Sequence, residues 1–339
     1  MSQSSVWHDC GFNVACIDTG LFRDGLAACY LIEHDGEAAL VDTGTRNSLP
    51  RIMQTLADHN ISPEQVRWIM PTHVHLDHAG GAGALMDEMP EATLVVHERG
   101  ARHMIRPEKL QAGSMAVYGE EAYDAAFGQL VPVPEQRVCI AADGDSFDLG
   151  SRRLQTLNTA GHARHHYVVW DEHSNGLFTG DTFGVSYPEL NTGRGSRFIF
   201  PPSTPVQFDP AAWHESLIRL MKLPVERVFL THFGMHEDPG ELAASLHEQI
   251  DVYANLARQL GAEFSRKLDE VDSDAKALAD AMQRRLQSRL MQHSLDELAA
   301  RQCTVPPSVI RQKLAGDMQL NAQGLLHWLA QSAPPGASA

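Results

Sequence analysis

The chain has 339 residues, 43% of them apolar and 21% charged, the balance of a soluble globular protein. A net charge of −16 with neutral histidines argues against a nucleic-acid backbone or an anionic membrane surface as partner, because both need clustered Lys and Arg. No apolar run approaches the roughly 20 residues that cross a bilayer. The opening "MSQSSVWHDCGF" has no basic stretch and no apolar stretch, so no secretion leader is expected. Five scattered cysteines without a CxxC pair suggest neither a disulfide framework nor a thiolate zinc site, and a reducing cytoplasm is the expected setting. Histidine is the unusual count, at 18.

Up to about residue 235 the pattern alternates between strands and helices. "AACYLIEHDGEAALVDTG" predicts a hairpin turning at Asp35-Gly36. "NSLPRIMQTLADHN" predicts an amphipathic helix with Pro50 in its first turn. "VRWIM" predicts a strand stopped by Pro71, and "GGAGALMDEM" a glycine-rich helix start. "ATLVVHE" reads as a strand and "PEKLQAGSMAVYGEEAYDAAFG" as mostly helix. Short strands follow at "QRVCIA", "SFDLG", "RRLQTLNTA", "HYVVWD" and "GLFTGD", with turns at Asp143-Gly144 and Asn175-Gly176. "PAAWHESLIRLMKL" is helical and "ERVFLTH" a strand.

From residue 236 the texture becomes helical. "EDPGELAASLHEQIDVYANLARQL" opens with a capping pattern and carries Leu242, Leu246, Ile250 and Tyr253 at helical spacing. "SDAKALADAMQRRLQSRLM" predicts a second helix, and Ser294 with Glu297 a second capping box before "LAAR". "PPSVIRQKLAGDMQLNAQGLLHWLAQ" predicts two more short helices. The expected organisation is a mixed α/β domain over 1–235, a helical extension over 236–330 serving as lid or homodimer interface, and a disordered tail over 331–339. From Glu237 onward ten Lys and Arg face fourteen Asp and Glu, so the helical texture does not suggest DNA binding.

The chemistry concentrates in "MPTHVHLDHAGG", which holds His73, His75, Asp77 and His78 within six positions just beyond a strand end. Imidazoles crowded in this way repel one another when protonated, and a cation that holds them neutral resolves the conflict. Neutral imidazoles with a carboxylate suit zinc, iron or manganese. Three later strand ends with a small or glycine neighbour offer further donors. These are His162 in "TAGHA", Asp181 in "LFTGDTFG" and His232 in "FLTHFG".

The order HxHxDH, GH, GD and a final strand-end His resembles the metallo-β-lactamase superfamily across residues 12 to 235. The resemblance implies an αββα metallo-β-lactamase sandwich, here with a C-terminal all-helical extension. It implies two divalent metal ions, zinc first, with iron or manganese as alternatives. One would take His73, His75 and His162, the other Asp77, His78 and His232, with Asp181 bridging. Such a centre supplies a hydroxide nucleophile near neutral pH, and Asp77 and Asp181 are its expected catalytic carboxylates. Asp181 stands where lactam-cleaving members with a zinc thiolate have Cys, which argues against antibiotic hydrolysis. The tRNA-processing branch has Gly-Asp-His where this chain has Leu76-Asp77-His78. Glyoxalase II is similar in its motifs and its helical extension, and so is a quinolone-pathway thioesterase-like member with helices over the site. The resemblance therefore implies a metal-dependent hydrolase of a small ester, thioester or lactone. A single-iron sulfur dioxygenase-like enzyme and a phosphodiesterase are the alternatives.

The substrate is expected to be a small molecule. His166 follows the expected ligand His162 closely, and Tyr187 stands near the position of a tyrosine that lactonases use. Arg194 and Arg197 lie in the long loop after Asp181, where they could receive a substrate anion. His165 and His97 carry the same ambiguity between structural and substrate roles. His236 reads as an exposed residue at a helix start.

Overall fold

A computed structural model describes residues 5–194, 197–203, 206–268 and 275–332. The first half contains β1 (Trp7–Asp9), β2 (Val14–Asp18), β3 (Ala28–His34), β4 (Glu37–Val41), α1 (Leu49–Asp58), β5 (Val66–Met70), α2 (Leu76–Ala79) and α3 (Ala82–Glu88). It continues through β6 (Thr93–His97), α4 (Glu98–Ile105), α5 (Glu108–Tyr118), α6 (Glu120–Ala126), β7 (Val138–Ala141) and β8 (Ser146–Leu149). Next come β9 (Arg152–Asn158), β10 (Tyr167–Asp171), β11 (Gly176–Val185), α7 (Pro210–Leu220), β12 (Arg227–His232) and β13 (Gly234–His236). The chain closes with α8 (Pro239–Leu268), α9 (Ala275–Ala300) and α10 (Pro307–Ser332).

The strands form a seven-stranded sheet in the order β1 to β7 and a six-stranded sheet in the order β13-β12-β11-β10-β9-β8. Side-chain alternation explains the layering, because successive residues of a strand face opposite ways. In β3, Ala28, Tyr30 and Ile32 enter the core between the sheets, while Cys29 and Leu31 face α1 and α3. In β10, Tyr167 and Val169 face the first sheet, and Val168 and Trp170 face outward. That outer face is covered by Trp213 and Leu217 of α7 and by Leu246, Leu290 and Leu314 of the C-terminal helices. The result is the expected αββα sandwich, and the extension shares one apolar cluster with the second sheet. No helix among the described residues is long and apolar enough to cross a membrane.

The hairpin turns at Asp35 and Gly36, both with positive φ (49° and 82°), the backbone that a two-residue turn demands. Several expectations change. β1, β2, α4 and β13 are additional elements. Ser294 starts no helix: α9 runs unbroken through it, its hydroxyl donates to the Leu290 carbonyl one turn back at 3.0 Å, and Glu297 pairs with Arg301. The last region forms one helix instead of two, because Ile310, Leu314, Met318, Ala322 and Leu325 keep a buried stripe across Gly316. His236 is a buried strand residue, 4% exposed, whose Nε2–H donates to the Phe233 carbonyl. α10 extends to Ser332, and the rest of the expected tail, 333–339, lies outside the described residues.

Candidate metal centre

Strand ends deliver the polar side chains to one place. β5 stops at Pro71, and the chain turns through Thr72–His75 into the one-turn helix α2, which carries Asp77 and His78. His162 lies between β9 and β10, Asp181 within β11 and His232 at the end of β12. β11 and β12 run parallel, which brings their C-terminal halves together. Gly180 has φ +48°, and a Cβ there would sit 2.4 Å from Thr72 Oγ1 and 2.7 Å from His166 Nε2. Glycine is therefore required beside Asp181, because the neighbouring strand end approaches its backbone.

All seven candidate side chains converge in two groups. His73, His75, His162 and Asp181 form one, and Asp77, His78 and His232 the other, with donor atoms within 4.8 Å inside each group. His75 Nδ1 lies 2.8 Å from His73 Nε2 and 3.0 Å from His162 Nε2. Asp181 lies between the groups. Its Oδ2 is 3.2 Å from His162 Nε2, and its Oδ1 is 3.2 Å from His78 Nε2 and 3.6 Å from His232 Nε2. Asp77 Oδ2 reaches His232 Nε2 at 3.2 Å and His78 Nε2 at 3.6 Å.

The outward ring nitrogens fix the tautomers. His162 Nδ1–H donates to the Pro202 carbonyl at 2.6 Å and His232 Nδ1–H to the Leu26 carbonyl at 2.7 Å, since a carbonyl can only accept. His78 Nδ1–H donates to Asp42 Oδ2 at 2.8 Å. Each ring turns its Nε2 inward, where a bound cation would take the place of a proton, the arrangement of metal-ligating histidines held by outer hydrogen bonds. Among the described residues, His78 Nε2 and Asp181 Oδ1 are buried with no hydrogen-bond partner: the distance between them is 3.2 Å, but the geometry is not that of a hydrogen bond. Buried polar atoms without partners are costly, and a cation between them would satisfy both. The donor set therefore fits divalent metal.

The electrostatics divide along the same line. Burial pushes His73, His75 and His162 below the ordinary imidazole range, so they stay neutral. Burial also opposes charge on His78, but Asp42, Asp181 and Asp77 outweigh it and hold that ring well above its usual value. Asp181 is likewise buried, yet the surrounding imidazoles, His78 first, hold it well below the carboxylate range.

Asp42 escaped the sequence reading. It accepts from Thr72 N at 2.7 Å, Thr72 Oγ1 at 2.9 Å and Thr231 Oγ1 at 2.6 Å as well as from His78, so it ties both histidine-bearing strand ends together. The available signal was an aspartate in "ALVDTG", directly after a run of apolar strand residues.

The other sequence candidates divide. His166 is buried beneath the centre: Nδ1 lies 2.9 Å from Thr159 Oγ1, and Nε2 accepts from the Asp181 amide at 3.2 Å, so both nitrogens serve the chain itself. His165 stacks on His73 at 6.0 Å, and burial lowers its pKa to about 3. His97 caps α4 by accepting from Arg99 N. Tyr187 is buried under the Arg23 guanidinium, and its hydroxyl donates to Asp317 Oδ1 at 2.9 Å. Arg194 and Arg197 are exposed and line a cavity of about 280 Å³ with His236, Asp238, Glu241 and Arg301, to which none of the seven side chains contributes.

Comparison with known proteins places the fold. A family model described as the metallo-beta-lactamase superfamily matches residues 23–232. A metallo-beta-lactamase fold-containing protein of Sulfurisphaera tokodaii is 28% identical over 258 residues, covering 73% of this chain and 89% of that one. A hydroxyacylglutathione hydrolase of Hahella chejuensis is 27% identical over 191 residues, covering 56% of this chain and 54% of its own length. The solved structure of a metallo-beta-lactamase family protein from Thermus thermophilus superposes with a TM-score of 0.57 at 21% identity, covering 90% of this chain and 88% of that one.

Proposed function

On the premise that the chain belongs to the metallo-beta-lactamase superfamily, we propose that it is a dinuclear metal-dependent hydrolase of a small ester, thioester or lactone, with thioesters first. The carrying observation is Asp181, whose two oxygens face different histidine sets: Oδ2 turns to His162, and Oδ1 to His78 and His232. In this reading His73, His75 and His162 hold one ion, Asp77, His78 and His232 the other, and Asp181 both. Zinc is the first choice of metal, because neutral imidazoles with carboxylates suit it.

Two bound divalent ions would supply Lewis acidity and a water acidic enough to attack near neutral pH. The chain's own residues do the rest. Asp77 has the most exposed carboxylate of the set, at 27%. Its Oδ2 faces the imidazoles, and in this reading the carboxylate would orient water and pass a proton to the leaving group. The thioester preference draws support from the hydroxyacylglutathione hydrolase relative, whose named substrate joins an acyl group to glutathione.

The test is elemental analysis of wild type and Asp181→Ala, purified without chelator from medium with zinc, manganese and iron, followed by thioester and lactone assays. Two ions per chain in wild type, fewer in the variant, and thioester cleavage are expected. A single iron that survives the substitution would overturn the reading in favour of redox chemistry.

A further inference from the structure

Helix α10 carries a polar residue where its stripe should be apolar. Asn321 is 1% exposed and sits among Met318, Ala322 and Leu325. An amide in such surroundings is unfavourable unless its hydrogen bonds are met, and asparagine is a poor residue for a helix interior. Its Nδ2 is buried without a partner among the described residues, and the bonds of its oxygen lead toward the metal centre. Asn321 Oδ1 accepts from Ser203 N at 2.6 Å and from Ser203 Oγ at 3.1 Å, and that hydroxyl also lies 3.2 Å from the Asn321 carbonyl. The residue before Ser203 is Pro202, whose carbonyl accepts from His162 Nδ1 at 2.6 Å.

The segment depends on outside support. Pro201 and Pro202 have no amide hydrogen, and residues 201–203 belong to no helix or strand. The last ladder pairing before the Pro202 carbonyl is the Val185–Phe200 bridge, and on its other side Ser203 is bonded to α10. One turn earlier on the same helix, Asp317 accepts from Tyr187, two residues beyond β11. α10 thus grips chain segments that adjoin both His162 and the Asp181 strand.

We propose that Asn321 is a positioning residue of the metal centre: through Ser203 it places the Pro202 carbonyl that aims His162, so the Asn321–Ser203 contact, as distinct from the Asp317–Tyr187 contact, sets the affinity of one metal position and not of the other. This rests on the reading of His162 as a ligand. The second position is independent of the relay, because His78 and His232 take their outer acceptors from Asp42 and Leu26. Outer partners of ligating histidines are worth about 10–100-fold in metal affinity.

The experiment is a competitive zinc titration of the full chain against a chromophoric chelator, for wild type, Asn321→Leu, Asn321→Asp and Ser203→Ala. Asn321→Leu removes the acceptor at similar volume and is expected to weaken one of two ions about 10–100-fold while leaving the other within about 2-fold. Asn321→Asp keeps an acceptor oxygen and should restore most of that loss. Ser203→Ala, which leaves α10 untouched, should weaken the same ion by less, because the Ser203 amide still donates. Ser203→Ala also decides the matter if Asn321→Leu fails to fold. Wild-type affinity in both Asn321→Leu and Ser203→Ala overturns the proposal, as does equal weakening of both ions with no rescue by Asp. Failure of wild type to bind two ions would instead overturn the metal assignment beneath it.

Discussion

Asp42 accepts a hydrogen bond from His78 Nδ1 at 2.8 Å across 36 residues of chain. The same carboxylate receives Thr72 and Thr231, so a single buried anion orients one ring of the centre and joins the strand ends that carry His73 and His232. Asp42→Ala leaves the His78 ring and three donor groups without their acceptor. Loss of about 3–5 kcal/mol of stability is expected, as for a buried pair deprived of one partner, together with loss of metal. Asp42→Asn keeps an acceptor and should fold better while binding metal more weakly. Denaturant titration and elemental analysis of the two variants check this.

Gly180→Ala should lower both metal content and stability. A φ of +48° and contacts at 2.4 and 2.7 Å to Thr72 and His166 leave no room for a methyl group. Backbone strain of about 1–3 kcal/mol follows, and it is felt at Asp181, the next residue. Metal analysis of the folded variant reads the outcome, and full occupancy would contradict it.

The buried pair of Arg152 and Asp171 lies on β9 and β10 and should matter for stability alone. Arg152 Nε donates to Asp171 Oδ1 at 2.9 Å, its Nη1 to the Phe12 carbonyl at 2.8 Å, and neither side chain of the pair is exposed. Asp171→Ala strands a buried guanidinium and should cost about 3–5 kcal/mol. Whatever fraction folds should still hold metal at the wild-type ratio. Reduced metal per folded chain would show a coupling that the geometry does not contain.

Asp317 predicts a pH dependence. Burial raises its pKa to about 6, against partial opposition from Tyr187, His232 and Arg23. In the unfolded chain it titrates near 3.9, so between these values the folded state binds more proton than the unfolded state. Its contribution to stability is complete below about pH 4 and declines as pH rises through about 6. Asp317→Asn stays neutral and escapes that decline. In metal-free protein, the stability of the variant relative to wild type should rise by on the order of 2 kcal/mol between pH 4.5 and 7.5, discounted because the carboxyl is only half-buried. Urea titrations at the two pH values measure it, and a constant difference would contradict the assignment.

The elements that the sequence predicted well are those with local causes. Asp35-Gly36 supplies two residues that tolerate positive φ, and β3 and β10 alternate apolar side chains between two cores. Ser294 and Glu297 had the spacing of a capping box, but a cap forms only where the backbone stops. In α9 the ladder continues, and the Ser294 hydroxyl packs near Met318 of α10. His236 was misplaced because the short pairing of β13 with β12 leaves little trace in three residues.

The candidate metal donors were readable because their clustering is covalent: His73, His75, Asp77 and His78 lie within six successive positions, and His162, Asp181 and His232 each follow a strand pattern. Spacing of that kind survives without coordinates. What surrounds the donors is different. Asp42 with His78, Ser203 with Asn321 and Tyr187 with Asp317 are separated by 36, 118 and 130 residues. Each pair meets only because two sheets and three long helices pack in one register, and a hydrogen bond made by packing places no periodicity or spacing on the chain. The sequence therefore determined which side chains are candidates to bind metal, and the tertiary structure alone decided which hydrogen bonds orient them.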